Sequence, residues 1–115
     1  MSLRPPIEAA EFPPGLDQLD SLLQHRSRLG AMVLLTNADA MSFTRLRELL
    51  KETDGNLGAQ LRKLEDAGYL AVKKQFAARK PVTWYSLSAA GRKALKRHLN
   101  ALQEIWNSAA ENSRQ

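Results

Sequence analysis

Polar and basic side chains recur on one side of a predicted helix in the middle of the chain. Residues 55–67 form this helix, and Leu57, Leu61 and Leu64 share its apolar face at i, i+4 and i+7. Amide side chains hydrogen-bond base edges in the major groove of a duplex, whereas Arg and Lys contact guanine or phosphate. The solvated face of an ordinary amphipathic helix has the same pattern and remains an alternative. The candidate contact residues of this helix are Asn56, Ala59, Gln60, Arg62 and Lys63, with Gln60 at the border between the two faces.

A second group of basic residues lies at the tip of a predicted β-hairpin. Its strands are Tyr69–Phe76 and Val82–Leu87, and the loop between them covers residues 77–81. Arg79 and Lys80 lie at the tip, away from any expected core. This position favours contact with phosphate or the minor groove over the alternative of a solvated turn. The remaining candidates for contact with the nucleic-acid backbone are Lys73 on the first strand and Thr44 and Arg45 at the start of an earlier predicted helix.

The distribution of charge also indicates a polyanionic partner. The net charge is +5 over 115 residues, but it is −3 in residues 1–25, +9 in residues 26–100 and −1 in residues 101–115. A basic middle between acidic ends is typical of a body that binds nucleic acid, although a solvated charged surface has the same composition. Together with the two basic groups, this charge predicts double-stranded DNA as the partner.

Catalysis and metal binding find little support in the sequence. It contains no cysteine, and His25 and His98 stand far apart without partners at metal-ligand spacing. Glu48 and Glu52 are one helical turn apart but have no cleft partner, and no glycine-rich phosphate loop is present. We therefore expect no enzyme activity, no metal site and no cofactor.

Membrane association is not expected either. The longest apolar run, Ala31–Leu35, is far shorter than the roughly 20 residues of a membrane-spanning helix. The N-terminus lacks the basic region and apolar stretch of a secretory signal. These patterns predict a cytoplasmic protein.

The elements that position the candidates are predicted to be mainly helical. Residues 1–15 contain four prolines and are predicted to form an extended arm, and residues 111–115 form a polar tail. The other predicted elements are a helix over Leu16–Leu23, a helix over Ser27–Asn37, a strand over Met41–Phe43, a helix over Thr44–Glu52 and a last helix from Ala89 to about Ala109. The predicted caps are Thr44, then Thr53 or Asp54, and Ser88 at helix N-termini, and Gly68 after the helix of residues 55–67.

Leucines at both ends of the chain predict a homodimer. The last helix has Leu95, Leu99, Leu102 and Trp106 at the four-three-four spacing of a helix seam. Leu19 and Leu22 belong to a second leucine-rich face near the N-terminus. Pairing the terminal helices across a two-fold axis would bury both faces, whereas folding of the last helix onto its own domain is the alternative.

Three stretches of the sequence resemble those of MarR- and ArsR-like winged helix-turn-helix transcriptional regulators. The resemblance covers residues 28 to about 100, and it rests on the stretches that begin at Phe43 (Phe-Thr-Arg-Leu-Arg-Glu-Leu-Leu), at Asp54 (Asp-Gly-Asn-Leu-Gly-Ala-Gln-Leu-Arg-Lys-Leu-Glu-Asp-Ala-Gly-Tyr-Leu) and at Ala78 (Ala-Arg-Lys-Pro-Val-Thr-Trp-Tyr-Ser-Leu-Ser-Ala-Ala-Gly-Arg). It implies a dimer, a recognition helix at residues 55–67 and a wing at residues 71–87.

The resemblance and the patterns together give one fold class: mainly α with a small β-hairpin wing and additional N- and C-terminal helices. The expected domains are a proline-rich arm at 1–15, a winged-helix DNA-binding domain at 16–110 that includes the terminal helices, and the tail at 111–115. The alternative function is a winged helix that binds proteins and not DNA. The resemblance also allows for a small-molecule effector.

Overall fold

The computed structural model describes residues 11–113, and it divides the chain into two units. One unit is Asp20–Lys96. The other, here called the terminal unit, combines residues 11–19 with residues 97–113 of the described part of the chain. The predicted proline-rich arm lies mostly outside the described residues.

The described residues form four α-helices and three strands, which confirms the predicted fold class of a mainly helical protein with a β-hairpin. The elements are α1 (Arg26–Thr36), β1 (Met41–Ser42), α2 (Phe43–Leu50), α3 (Asp54–Asp66), β2 (Leu70–Ala77), β3 (Lys80–Leu87) and α4 (Ala89–Ser113).

The core of the Asp20–Lys96 unit is built from the apolar faces of its helices and the base of the hairpin. Leu57, Leu61 and Leu64 are fully buried, as their spacing along α3 predicts. Because this face of α3 is fixed by the core, the opposite face is left to solvent. The other core residues are Leu23, Ala31, Met32, Leu35, Leu46, Leu70 and Leu95.

The predicted helix over Leu16–Leu23 is wrong. The segment forms two 3₁₀ turns, Leu16–Gln18 and Ser21–Leu23, with Leu19 and Asp20 extended between them. The Asp20 side chain accepts a hydrogen bond of 3.0 Å from the backbone nitrogen of Leu22, and such local bonds compete with a continuous helix.

Within the terminal unit, the N-terminal segment lies close to the second half of α4. Gly15 has a φ of 91°, and a Cβ at this position would approach the carbonyl oxygen of Ala101 to 2.5 Å. The Arg97 Nε also donates a hydrogen bond of 2.7 Å to the Gln18 side-chain oxygen. Glycine at position 15 therefore allows a close approach that a larger residue would prevent.

Capping side chains set the helix boundaries. Thr53 caps α3 by accepting from the backbone nitrogen of Asn56, Ser88 caps α4, and Gly68 has a φ of 80° after α3, so these three predictions are confirmed. The predicted Thr44 cap is wrong. Since α2 begins at Phe43, the capping position falls on Ser42, whose hydroxyl accepts from the backbone nitrogen of Arg45 at 3.1 Å.

The three strands form one antiparallel sheet in the order β1-β3-β2. Ala77 pairs with Lys80, so the hairpin turn consists only of Ala78 and Arg79 and is shorter than the predicted loop over residues 77–81. Both turn residues have positive φ, 50° and 66°, as in the turns that match the twist of two-residue hairpins. Pro81 therefore belongs to β3, at an end of the strand where β1 does not pair with it.

Candidate nucleic-acid interface

The outer face of α3 is exposed over its whole length. Asn56, Ala59, Arg62 and Lys63, four of the five candidates predicted on this helix, are exposed. A Cβ placed at Gly58 would meet no atom within 4 Å, so no packing in the free protein requires a glycine there. This face can therefore approach a flat or grooved partner closely.

Glu52, in the turn between α2 and α3, connects α3 to α1. Its carboxylate accepts hydrogen bonds from the Ser27 hydroxyl and the Asn56 amide, both at 2.5 Å, and from Arg26 at 2.9 Å. The bonds from Ser27 and Asn56, followed by the charge of Arg26, hold the pKa of Glu52 below its ordinary value. The carboxylate thus fixes the first turn of α3 against α1.

Gln60 lies on the buried side of α3 and not on the exposed face. It is 9% exposed, its amide nitrogen donates to the Asn56 oxygen at 3.4 Å, and its amide oxygen accepts from the Arg28 guanidinium. Arg28 Nε also donates to the backbone oxygen of Leu22 at 2.6 Å. To reach a base edge, Gln60 would have to release Arg28.

Sequence reasoning missed Arg28, Ser27 and Glu52 as supports of α3. The contacts of Arg28 and Ser27 with their partners span 32 and 25 residues of the chain. Helical periodicity detects neighbours three or four positions apart, so no pattern in the sequence indicates these pairs.

Thr44 and Arg45, the candidates in the first turn of α2, are exposed. Arg45 forms an ion pair of 3.5 Å with Glu48 on the same helix. Arg47, by contrast, pairs with Asp54 at 3.0 Å and so connects α2 to the first residue of α3. Arg47 therefore contributes to the placement of α3.

The hairpin, here called the wing, is a cationic projection. Residues 70–87 contain four basic residues and no carboxylate. Lys73, Arg79 and Lys80, the candidates predicted on this hairpin, are all exposed, as is Lys74. Phe76 is 80% exposed, more than any other large apolar side chain among the described residues.

The predicted dimerisation residues divide into two groups. Leu95 is 3% exposed and belongs to the core of its own unit, and Leu19 and Leu22 are half-buried. Leu99 and Leu102 are 42% and 40% exposed, and Trp106 is 65% exposed. An apolar stripe at i, i+3 and i+7 therefore remains open on α4.

The described residues contain neither a candidate metal cluster nor a membrane-spanning helix. No cluster of three His, Asp or Glu side chains in residues 11–113 could hold a metal ion. No helix in this part of the chain is both long enough and apolar enough to cross a bilayer.

Known proteins share both sequence and fold with this chain. The sequence model of the winged helix DNA-binding domain family matches residues 27–106. An uncharacterized protein of Methanocaldococcus jannaschii is 31% identical over 78 residues, which are 68% of this chain and 85% of that protein. A transcriptional regulator homologue of Pyrococcus horikoshii OT3 is 29% identical, with a TM-score of 0.73 over 79% of this chain and 91% of that chain.

More distant structures share the fold. YusO of Bacillus subtilis is 16% identical, with a TM-score of 0.69 over 83% of this chain and 67% of that chain. NadR, in a complex with 4-hydroxyphenylacetate, is 20% identical, with a TM-score of 0.63 over 84% of this chain and 68% of that chain. Family and fold indicate a DNA-binding regulator of transcription and not an enzyme, and the chain belongs to the winged helix DNA-binding domain family.

Proposed function

We propose that the protein binds double-stranded DNA in a sequence-specific manner as a homodimer, with α3 in the major groove and the wing on the backbone or in the minor groove. One observation carries the proposal. Six exposed cations are grouped on α3 and the wing without a hydrogen-bond or ion-pair partner within residues 11–113, whereas five arginines outside these two elements each have one. The six are Arg62, Lys63, Lys73, Lys74, Arg79 and Lys80.

The exposed face of α3 suits the major groove. The groove is about 12 Å wide and admits an α-helix of about 10–12 Å in diameter. Gly58 and Ala59 let the helix approach closely, while Arg62 and Lys63 provide donors for guanine or phosphate. Asn56 is the candidate base reader at the start of the helix, and binding would exchange its internal hydrogen bonds for bonds to a base edge.

Gln60 has a different role in this proposal. Because its amide is bonded to Arg28 and Asn56, it supports the helix from the buried side. It orients the exposed residues and does not itself read a base.

The homodimer rests on the open stripe of α4. Leu99, Leu102 and Trp106 expose apolar surface that a soluble monomer rarely leaves uncovered. We propose that two copies pair through this stripe across a two-fold axis. Two recognition helices would then contact half-sites about one helical turn, or ~34–36 Å, apart.

Binding is tested by fluorescence anisotropy with a labelled 30-base-pair duplex at increasing salt. Each neutralised phosphate contributes a slope of about −0.9 to log affinity against log salt. Arg79→Ala should therefore make the slope less negative by about 0.9, the contribution of one phosphate contact, on every duplex. Lys93→Ala on α4 removes the same charge from an exposed position outside α3 and the wing, and it should leave the slope unchanged.

Sequence specificity needs a second measurement on DNA selected from a random pool. Asn56→Ala should lose roughly 1–3 kcal/mol on the selected duplex and little on a scrambled one. An equal loss of affinity on both duplexes would show that Asn56 does not read a base. Affinity of the wild type that does not change with salt would contradict binding through phosphate contacts, and no binding to any duplex would favour the protein-interaction alternative.

Two further predictions from the sequence stay predictions, namely a cytoplasmic location and a small-molecule effector. The NadR structure is a complex with 4-hydroxyphenylacetate, which makes an aromatic acid a suitable first probe. An effector would shift the thermal unfolding midpoint of this protein. It would change the affinity for the selected duplex by the same factor by which the duplex changes the affinity for the effector.

A further inference from the structure

Phe76 is an apolar side chain in a place where folding does not require one. It lies near the end of β2, six residues beyond the buried Leu70, which is roughly 20 Å along an extended strand. Its cross-strand partner is Pro81, which is also exposed. The pair therefore forms an apolar end on a hairpin whose base alone enters the core.

The surroundings of this apolar end are cationic. Lys74 lies two residues before Phe76 on the same face of β2, and Arg79 and Lys80 follow in the turn and at the start of β3. None of the three has an ion-pair partner among the described side chains. A partner of this surface must accept an apolar wedge and several positive charges together.

We propose that Phe76, with Pro81 behind it, enters the minor groove of bound DNA as a wedge, partly unstacks one base step and bends the duplex. The inference rests on the proposed function. The minor groove is about 6 Å wide, so a side chain can enter it while the two-stranded ribbon stays outside. The flanking cations hold the phosphates on either side, and contacts made by the bent duplex offset the cost of unstacking.

A second copy of the wing does not fit this surface as well. Two wings with four positive charges each and no carboxylate would repel one another if their tips met. Bound DNA supplies negative charge and, between base pairs, an apolar space that an aromatic ring can enter. The wedge also predicts a preference for steps that unstack easily, such as TA, over stiff A-tracts.

The test measures affinity and bending separately on the same DNA. Two 30-base-pair duplexes, one with central TA steps and one with an A-tract, carry a fluorophore at each end. Anisotropy reports binding, and energy transfer between the ends reports bending. Three variants are compared. Phe76→Ala removes the wedge, Phe76→Leu keeps an apolar wedge, and Lys80→Ala removes a charge from the same tip.

The wild type should bend the TA duplex by at least ~20° and prefer it about fivefold over the A-tract duplex. Phe76→Ala should lose most of the bend and the preference while its salt slope stays unchanged, and Phe76→Leu should keep both. Lys80→Ala should flatten the salt slope and keep the bend. Circular dichroism checks that each variant is folded. We expect the Phe76 variants to fold, because a side chain that is 80% exposed contributes little to the core.

Four results would overturn the inference. If the wild type binds but leaves the duplex straight, or if Phe76→Ala bends it equally, the wedge is wrong while DNA binding stands. If neither duplex binds, the proposed function fails as well. Binding of the wild type to vesicles of anionic phospholipid, lost in Phe76→Ala, with no DNA bending would assign the tip to a membrane surface.

Discussion

Arg28 offers a quantitative test of how α3 is held in place. The Arg28→Met variant keeps a long apolar side chain but removes the donors to the Leu22 backbone oxygen and to the Gln60 amide oxygen. A buried acceptor left without a partner costs about 1–3 kcal/mol. Since Arg28 is half-buried, the lower half of this range applies to each acceptor. We therefore expect the free energy of unfolding to fall by about 2–4 kcal/mol.

Arg26 provides a matched control on the same helix. It also donates to one backbone oxygen, that of Leu50, and to one side-chain oxygen, that of Glu52. Its side chain is 70% exposed, however, so water replaces the lost partners. Arg26→Met should cost no more than about 1 kcal/mol.

The assay is urea unfolding followed by circular dichroism. With a slope of about 2 kcal/mol per molar urea, Arg28→Met should lower the midpoint by roughly 1–2 M. A double-mutant cycle with Gln60→Met isolates the side-chain pair, and Arg28→Met should cost about 1–2 kcal/mol less in that background. If Arg28→Met costs no more than Arg26→Met, or if the two costs simply add, the argument that Arg28 supports α3 through Gln60 is refuted.

Three further predictions concern other parts of the molecule. Gly58→Ala should raise the free energy of unfolding by up to about 1 kcal/mol, because alanine has the higher helix propensity. The same change should weaken binding to duplex DNA, measured by anisotropy. Unchanged binding would show that α3 does not approach the DNA closely at this position. Hydrogen bonds from Ser27 and Asn56 lower the pKa of Glu52 from 4.5, so its stabilising effect is present above that pH and lost as the pH falls through the lowered pKa. Urea unfolding between pH 7 and 3 should thus show a steeper loss for the wild type than for Glu52→Gln, and parallel curves would contradict this. Leu102→Glu with Trp106→Glu should convert dimers into monomers in sedimentation, whereas a wild type that sediments as a monomer at tens of micromolar would exclude the dimer.

Local signals explain what could be predicted from the sequence. The buried face of α3 follows from three leucines at helical spacing, and its ends follow from Thr53 and Gly68, because these features act within one or two turns of the chain. Leu16–Leu23 also has leucines three and four positions apart but forms two short 3₁₀ turns, and the hydrogen bond from the Leu22 backbone nitrogen to the Asp20 side chain favours a turn there.

The site was harder to predict than the fold. On a helical wheel Gln60 falls at the border between the faces, and its burial and its bond to Arg28, a residue 32 positions away, depend on the tertiary fold. The exposure of the cations on α3 and the wing could be predicted without knowledge of tertiary contacts, because no side chain in the described part of the chain binds them.

The two-residue turn of the wing has a consequence for how the hairpin opens. Ala78 and Arg79 both occupy the left-handed region, which costs roughly 1–2 kcal/mol for each residue that is not glycine. This strain lies at the Ala77–Lys80 end of the ladder, whereas the Leu70–Leu87 end is anchored in the core. Opening therefore begins at the tip, and amide hydrogen exchange should slow progressively from the tip to the base. The wing is stiff where it joins the core and adaptable at its tip.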